Sequence, residues 1–175
     1  MEMELLNKRV ERLLNEVRTL AVERARDAEG IECALRARSL HDDSLSKWQP
    51  FVNGGEWGGE HRWWDFRFNV TAPEGYTGKQ LFLEITTGCE GAWDATNPQF
   101  LAYVDGKVRQ AIDTNHTTVL LGSDVKPGTV FSIYLKGYCQ TDAGKFARMR
   151  ARTIEVAENV MQLYYDVRVP LEAAE

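Results

Sequence analysis

The sequence predicts a mainly β protein, an antiparallel β-sandwich of jelly-roll type with one helix at each end of the chain. Three observations carry this. Apolar and polar residues alternate through most of the middle of the chain, the period of a half-buried strand. Turn residues punctuate that stretch, most clearly Asp105-Gly106, because a type I′ hairpin needs positive φ at both central positions. At the two ends, apolar residues instead recur every three or four positions, the period of a helix.

Residues 1–29 read as an amphipathic helix. Leu5, Leu6, Val10, Leu13, Leu14, Val17, Leu20 and Ala21 form a stripe, with Lys8, Arg9, Glu11, Arg12, Glu16, Arg18 and Glu23 between them. Gly30 is the expected stop, since glycine adopts the left-handed cap conformation without strain. The stripe needs a partner, either the protein's own body or another domain or copy.

Residues 30–153 form the expected sandwich. Ile31, Cys33 and Leu35 alternate with Glu32, Ala34 and Arg36; Trp64, Phe66, Phe68 and Val70 alternate with Asp65, Arg67 and Asn69. Further strands fall at Leu81 to Ile85, Phe100 to Val104, Lys107 to Ile112, Val119 to Leu121 and Val130 to Cys139. Pro73-Glu74-Gly75 and Pro127-Gly128 mark turns. About eight strands suit two sheets packed face to face. Trp63 points away from that core and is placed under one of the helices. Phe146 to Thr153 adds a strand with Arg148, Arg150 and Arg152 along a solvated face.

Residues 154–175 turn helical again through Val156, Val160, Leu163, Tyr164 and Val167, with Pro170 expected to kink or end the helix. The apolar stripe stops abruptly at Ala173-Ala174-Glu175, as a chain cut ahead of another domain would.

Composition narrows the function. The 175 residues fit one domain with appended segments. A net charge of −5 argues against nucleic acid and against an anionic membrane surface. No apolar run approaches the roughly 18–20 residues of a membrane-spanning helix, and the start, Met1-Glu2-Met3-Glu4, lacks a secretory signal's basic and apolar regions. Cys33, Cys89 and Cys139 are widely spaced, which predicts reduced thiols and a cytoplasmic setting. His41, His61 and His116 are isolated, so no metal site is expected; HExxH, CxxC, GxSxG and phosphate-loop patterns are absent.

Two places stand out as binding or domain-interface candidates. Trp57 sits in the glycine-rich stretch Gly54 to Gly59, where it either caps the core or stacks on a ligand or neighbour. Asp113-Thr114-Asn115-His116 lies between two apolar strands. There Asp113, Asn115 and His116 either close an Asx-turn on their own backbone or project toward a ligand or neighbouring domain.

With these residues in view, the chain resembles the N-terminal region of the glycoside hydrolase family 38 α-mannosidases, the cytosolic and bacterial branch. The resemblance rests on four stretches. They are Trp57 with Trp63-Trp64-Asp65-Phe66-Arg67-Phe68-Asn69-Val70-Thr71-Ala72-Pro73; Val104-Asp105-Gly106-Lys107 with Gln110 to His116 and Val119-Leu120-Leu121; Gly128 leading into Phe131 to Leu135; and Leu163-Tyr164-Tyr165-Asp166. It implies a galactose-binding-like jelly roll ahead of a (β/α)-barrel that cleaves terminal α-mannosides. In that family the barrel holds a divalent metal, usually zinc, on His and Asp residues, and an Asp is the nucleophile of a retaining mechanism. None of those residues lies in this sequence, so no catalytic residue and no cofactor is expected within it. The implied role is a non-catalytic accessory domain, a fragment that packs on its parent enzyme's own catalytic domain or supports a homo-oligomer. The alternative is an autonomous carbohydrate-binding, lectin-like module.

Overall fold

The structure, a computed structural model, describes residues 2–37, 39, 41, 43–76, 80–90, 98–140 and 147–172, with side chains for residues 8–171 of these. Phe146 and Ala173-Ala174-Glu175 lie outside the described residues, as do the side chains of Leu5 and Leu6.

Helix α1 (Glu2–Ala21) is followed by β1 (Val22–Asp27), β2 (Glu29–Arg36), β3 (Gln49–Pro50), β4 (Gly55–Trp57) and β5 (Arg62–Thr71). Then come β6 (Gln80–Thr86), β7 (Gln99–Val104), β8 (Lys107–Ile112), β9 (Thr118–Gly122), β10 (Val130–Cys139), β11 (Ala147–Val156) and α2 (Glu158–Glu172). They build two antiparallel sheets. One has five strands, in the order β1-β11-β6-β9, with β4 paired to the start of β11; the other has six, β3-β2-β5-β10-β7-β8. From β4 onward the chain steps between the sheets at each connection except the β7–β8 hairpin, the connectivity expected of a jelly roll. That hairpin turns at Asp105 (φ 51°) and Gly106 (φ 74°), the two positive angles a type I′ turn requires.

The core lies between the inner faces of the sheets. Phe66, Phe68 and Val70 of β5 meet Leu81, Leu83 and Ile85 of β6, with Ile133, Leu135 and Met149. Burying a side chain of this size stabilises by roughly 1.5–3 kcal/mol. A smaller cluster sits outside the five-stranded sheet: Ala21, Ile154 and Val156, packed by Val22, Phe82, Val160 and Met161. Here α1 and α2 lie against each other and cover part of that sheet's outer face.

Three boundaries differ from the sequence expectation. The first helix ends at Ala21, not near Gly30, and Val22–Asp27 is an edge strand of the five-stranded sheet. Its charged, exposed side chains have no partner strand on one side, so they read like the wet face of a helix. Gly30 (φ 63°) sits within β2, beside a register shift between Glu29 and Glu32. At the other end, Ile154 to Val156 complete β11; the helices bury Ile154 and Val156 on its outer face while Thr153 and Glu155 are buried on the other, so the alternation of exposed and buried residues disappears. Pro170 falls in the last turn of α2, which runs on to Glu172. That late in a helix, proline removes one backbone hydrogen bond without ending the element.

Trp63 is the fourth correction. It lies on the outer face of the six-stranded sheet, and the helices cover the other sheet. Cys33 and Cys139 are buried, and burial raises the Cys33 thiol above its ordinary value.

Candidate functional site

Trp57 belongs to the core. Only 2% of its surface is accessible, and its ring lies 5.4 Å from Phe66 and 4.9 Å from Phe100, centroid to centroid. Gly137 permits this: a Cβ there would stand 3.1 Å from both the Trp57 and Phe100 rings. Trp57 is thereby removed as a binding or interface candidate. The glycine-rich stretch serves the backbone, with Gly54, Gly58 and Gly59 all at positive φ around a strand that pairs with β11.

The Asp113 to His116 segment closes on itself. Asp113 Oδ1 accepts hydrogen bonds from the backbone N–H groups of Asn115 and His116, both at 2.7 Å, and lies 3.1 Å from His116 Nδ1. Burial works to raise the Asp113 carboxyl, but the two amides and the His116 ring together hold it below its ordinary value. The Asx-turn is therefore formed, and the Asp113 carboxylate is committed to it. Asn115 and His116 remain exposed and line the rim of a groove of about 550 Å³. That groove runs between α1, α2 and the outer face of β6 and β9, past Phe82, Leu120, Tyr164 and Tyr165. Nearby, Leu163, Tyr165, Val167 and Val169 of α2 and Leu13 and Leu20 of α1 are exposed.

The outer face of the six-stranded sheet holds residues that the sequence reading passed over. Arg36 and Asp65, on adjacent strands, are 3% and 0% accessible. Arg36 Nε donates to Asp65 Oδ1 at 2.9 Å, and Arg36 Nη2 and the Tyr134 hydroxyl both donate to Oδ2. Arg36 also reaches Asp43 at 3.5 Å. Trp48 packs edge-on against Tyr134 at 6.2 Å, and the Arg67 guanidinium lies 4.3 Å above the Trp48 ring. Burial first, and then the Asp65 carboxylate, raise the Tyr134 phenol well above its ordinary value. The parity of β2 and β5 already put Arg36 and Asp65 on one outer face. Nothing in the sequence showed that Trp48 would pack against Tyr134 and Arg67 beside them.

Further along the same face, a groove of about 310 Å³ is lined by Trp63, Gln99, Leu101, Asp113, Lys136 and Tyr138, which brings one of the sequence candidates, Asp113, to this site. Trp63 and Tyr138 are cross-strand partners whose centroids lie 4.5 Å apart, tilted by 36°. The Tyr138 hydroxyl is 2.8 Å from His61 Nδ1. Among the described residues, no group of three or more His, Cys, Asp or Glu side chains is placed to hold a metal ion.

No protein-family model matches the chain. No curated protein matches it either. Among solved structures it is similar to a β-glucuronidase from Ruminococcus gnavus determined with D-glucuronic acid, at a TM-score of 0.50 and 10% identity, over 78% of this chain and 30% of that one. A β-D-glucuronidase from Dictyoglomus thermophilum gives 0.46 and 9%, over 78% and 28% of the two chains. A β-glucuronidase from Faecalibacterium prausnitzii gives 0.45 and 10%, over 77% and 32%. This chain thus spans about 30% of the R. gnavus structure, and at such identity the likeness speaks for the fold alone. The resemblance to the family 38 α-mannosidases is overturned: the solved structure that carries the fold likeness is a β-glucuronidase, and no family model or curated relative supports the mannosidase family. The stretches that carried it have structural reasons here. Asp105-Gly106 makes a hairpin, Phe66 to Val70 fill the core, and Asp113 to His116 close a turn. What stands is a mainly β two-sheet sandwich flanked by helices, a fold that this glycosidase also contains.

Proposed function

We propose that this chain is a non-catalytic accessory domain of a glycoside hydrolase, which docks on the remainder of that enzyme through α2 and the groove beside β9. The observation that carries this is the run of exposed apolar side chains on α2. On a helix only partly seated on the sandwich, Leu163 and Val167 are exposed one turn apart on one side, and Tyr165 and Val169 one turn apart on the other. Large apolar side chains left in water on two sides of one helix mark an interaction surface. The groove's other rim offers Asn115 and His116 as hydrogen-bonding groups at its edge. The fold likeness to β-glucuronidases, of which this chain matches about 30% of one, supports a glycosidase as the parent. Its catalytic residues, and any metal, would belong to the remainder, and the free thiols suit a cytoplasmic enzyme.

The test uses the protein encoded by the whole reading frame. Tyr165→Asp with Val167→Asp should leave the melting of the isolated chain within about 0.5 kcal/mol of the parent, because both residues are surface groups there. In the long protein the same pair should release the sandwich as a separately melting unit in calorimetry. The isolated chain should not turn over 4-nitrophenyl β-D-glucuronide. A reading frame with no further domain, or a long protein whose melting ignores the double substitution, would overturn this reading.

A further inference from the structure

We infer that the groove over β5, β10 and β7 binds the pyranose rings of a β-linked glycan. Three features of the site carry this, and none depends on how α2 is covered. The first is a fixed aromatic wall. Trp63 and Tyr138 are stacked on one another by strand register, centroids 4.5 Å apart and planes tilted by 36°, so each has one face turned away from its partner; the Tyr138 hydroxyl is tethered to His61 at 2.8 Å. Both rings are only partly buried, although they stand on a sheet whose neighbouring Arg36 and Asp65 are covered.

The second feature is the set of polar groups beside that wall. Gln99 is the register partner of Tyr138, and Lys136 lies one outward position along β10. Among the described residues Lys136 makes no ion pair; its ammonium stands 5.8 Å from the Tyr103 ring. Donors and acceptors at the edge of an aromatic wall match a sugar, which presents hydroxyls around its rim and C–H groups on its faces. Hydrogen bonds to hydroxyls alone contribute little, because each replaces one made to water. Burying the C–H face against rings adds the apolar contribution that those bonds lack.

The third feature is size. About 310 Å³ falls at the lower end of small-ligand sites, roughly 300–1,000 Å³, which suits a short stretch of glycan and not a protein surface. The flat outer face of one such ring favours sugars whose substituents are all equatorial, since these expose axial C–H groups on both faces. That selects β-linked gluco-configured chains. Asp113 also lines this groove, with its Oδ1 committed to the backbone of its own turn, and Trp57 is sealed in the core.

The experiment is a titration of the 15N-labelled chain with cellotetraose and, separately, with a hyaluronan tetrasaccharide, followed through the tryptophan indole N–H signals. The Trp63 signal should shift saturably with at least one of them, with Kd about 0.1–10 mM. Trp63→Ala should weaken binding by about tenfold or more, the scale of one lost stacking contact. Lys136→Ala should weaken it by about threefold, a fraction of a hydrogen bond to a charged group. Tyr165→Ala, on α2, should leave it unchanged. A response to the hyaluronan fragment alone would assign Lys136 to its carboxylate; a response to cellotetraose as well would make Lys136 a hydroxyl donor. If Trp63→Ala does not fold, the Lys136→Ala titration decides alone. No saturable Trp63 shift with either sugar up to about 20 mM, weaker than the site is expected to be, overturns the proposal. So does binding that is unchanged in a folded Lys136→Ala chain.

Discussion

Both outer faces of the sandwich carry arginine–carboxylate pairs across neighbouring strands, in opposite surroundings. On the five-stranded sheet, Arg148 meets Glu56 at 3.4 Å, Arg150 grips Asp27 with two nitrogens at about 3.0 Å, and Arg152 donates to Glu84. The first two pairs are more than half exposed. On the six-stranded sheet, Arg36 grips Asp65 with the same two-nitrogen fork while both are sealed from water. Geometry is nearly constant, so surroundings decide the outcome. Exposed pairs are screened and worth little. A buried pair costs desolvation on forming, and breaking it leaves one charge stranded.

The sharpest way to break this comparison is Asp65→Ala. It should cost about 3–5 kcal/mol in urea denaturation, because buried Arg36 would lose its two-nitrogen partner and keep the solvent-exposed Asp43 at 3.5 Å in its place. Next in size, Tyr134→Phe should cost about 1–3 kcal/mol, since Asp65 loses a hydroxyl donor in a place water does not reach. It should also change the alkaline limb. Because burial and Asp65 raise the Tyr134 phenol, the folded state favours its neutral form. That contribution is full below the ordinary phenol value of about 10 and is lost as pH rises beyond it. Melting followed from pH 8 to 11 should therefore fall less steeply in Tyr134→Phe.

Asp113→Asn tests the turn that joins the two sheets, with an expected cost of about 1 kcal/mol, the scale of a lost cap. The Asp113 carboxyl is held below its ordinary value, so its contribution is present above about pH 4 and is lost as pH falls through the lowered value. The variant should show a shallower acid limb below that pH; an identical limb would mean the turn does not stabilise through its charge. Smallest of all, Arg150→Ala should cost under about 1 kcal/mol, shrinking further in high salt. If Arg150→Ala and Asp65→Ala proved equally costly, the contrast between the faces would be wrong.

What the sequence disclosed follows the same divide between local and distant causes. The Asp105-Gly106 turn, the core side of β5 and the outward arginines of β11 were all legible, because each depends on near neighbours and a period of two. The strand at Val22–Asp27 and the end of β11 were not, since one is a charged edge and the other is buried on both faces. The family resemblance failed for a related reason: its short stretches are what any such sandwich needs at turns and core positions. In the candidate sites, the Asx-turn at Asp113 was foreseeable from side-chain reach. The burial of Trp57, the covering of Arg36 and Asp65, and the pairing of Trp63 with Tyr138 were not. Each joins residues tens of positions apart.

Strand β8 closes the six-stranded sheet at one edge, and its residues Lys107 to Ala111 are exposed. An open strand edge is a template on which a second copy can add its own. Val108, 58% accessible, would make such joining attractive, but Lys107 and Arg109 flank it. Two copies meeting edge to edge in antiparallel fashion would press these cations against one another. The tight turn at Asp105-Gly106 therefore does more than reverse the chain. It sets a basic strand at the rim, and that strand guards the sheet against unlimited growth into a fibre.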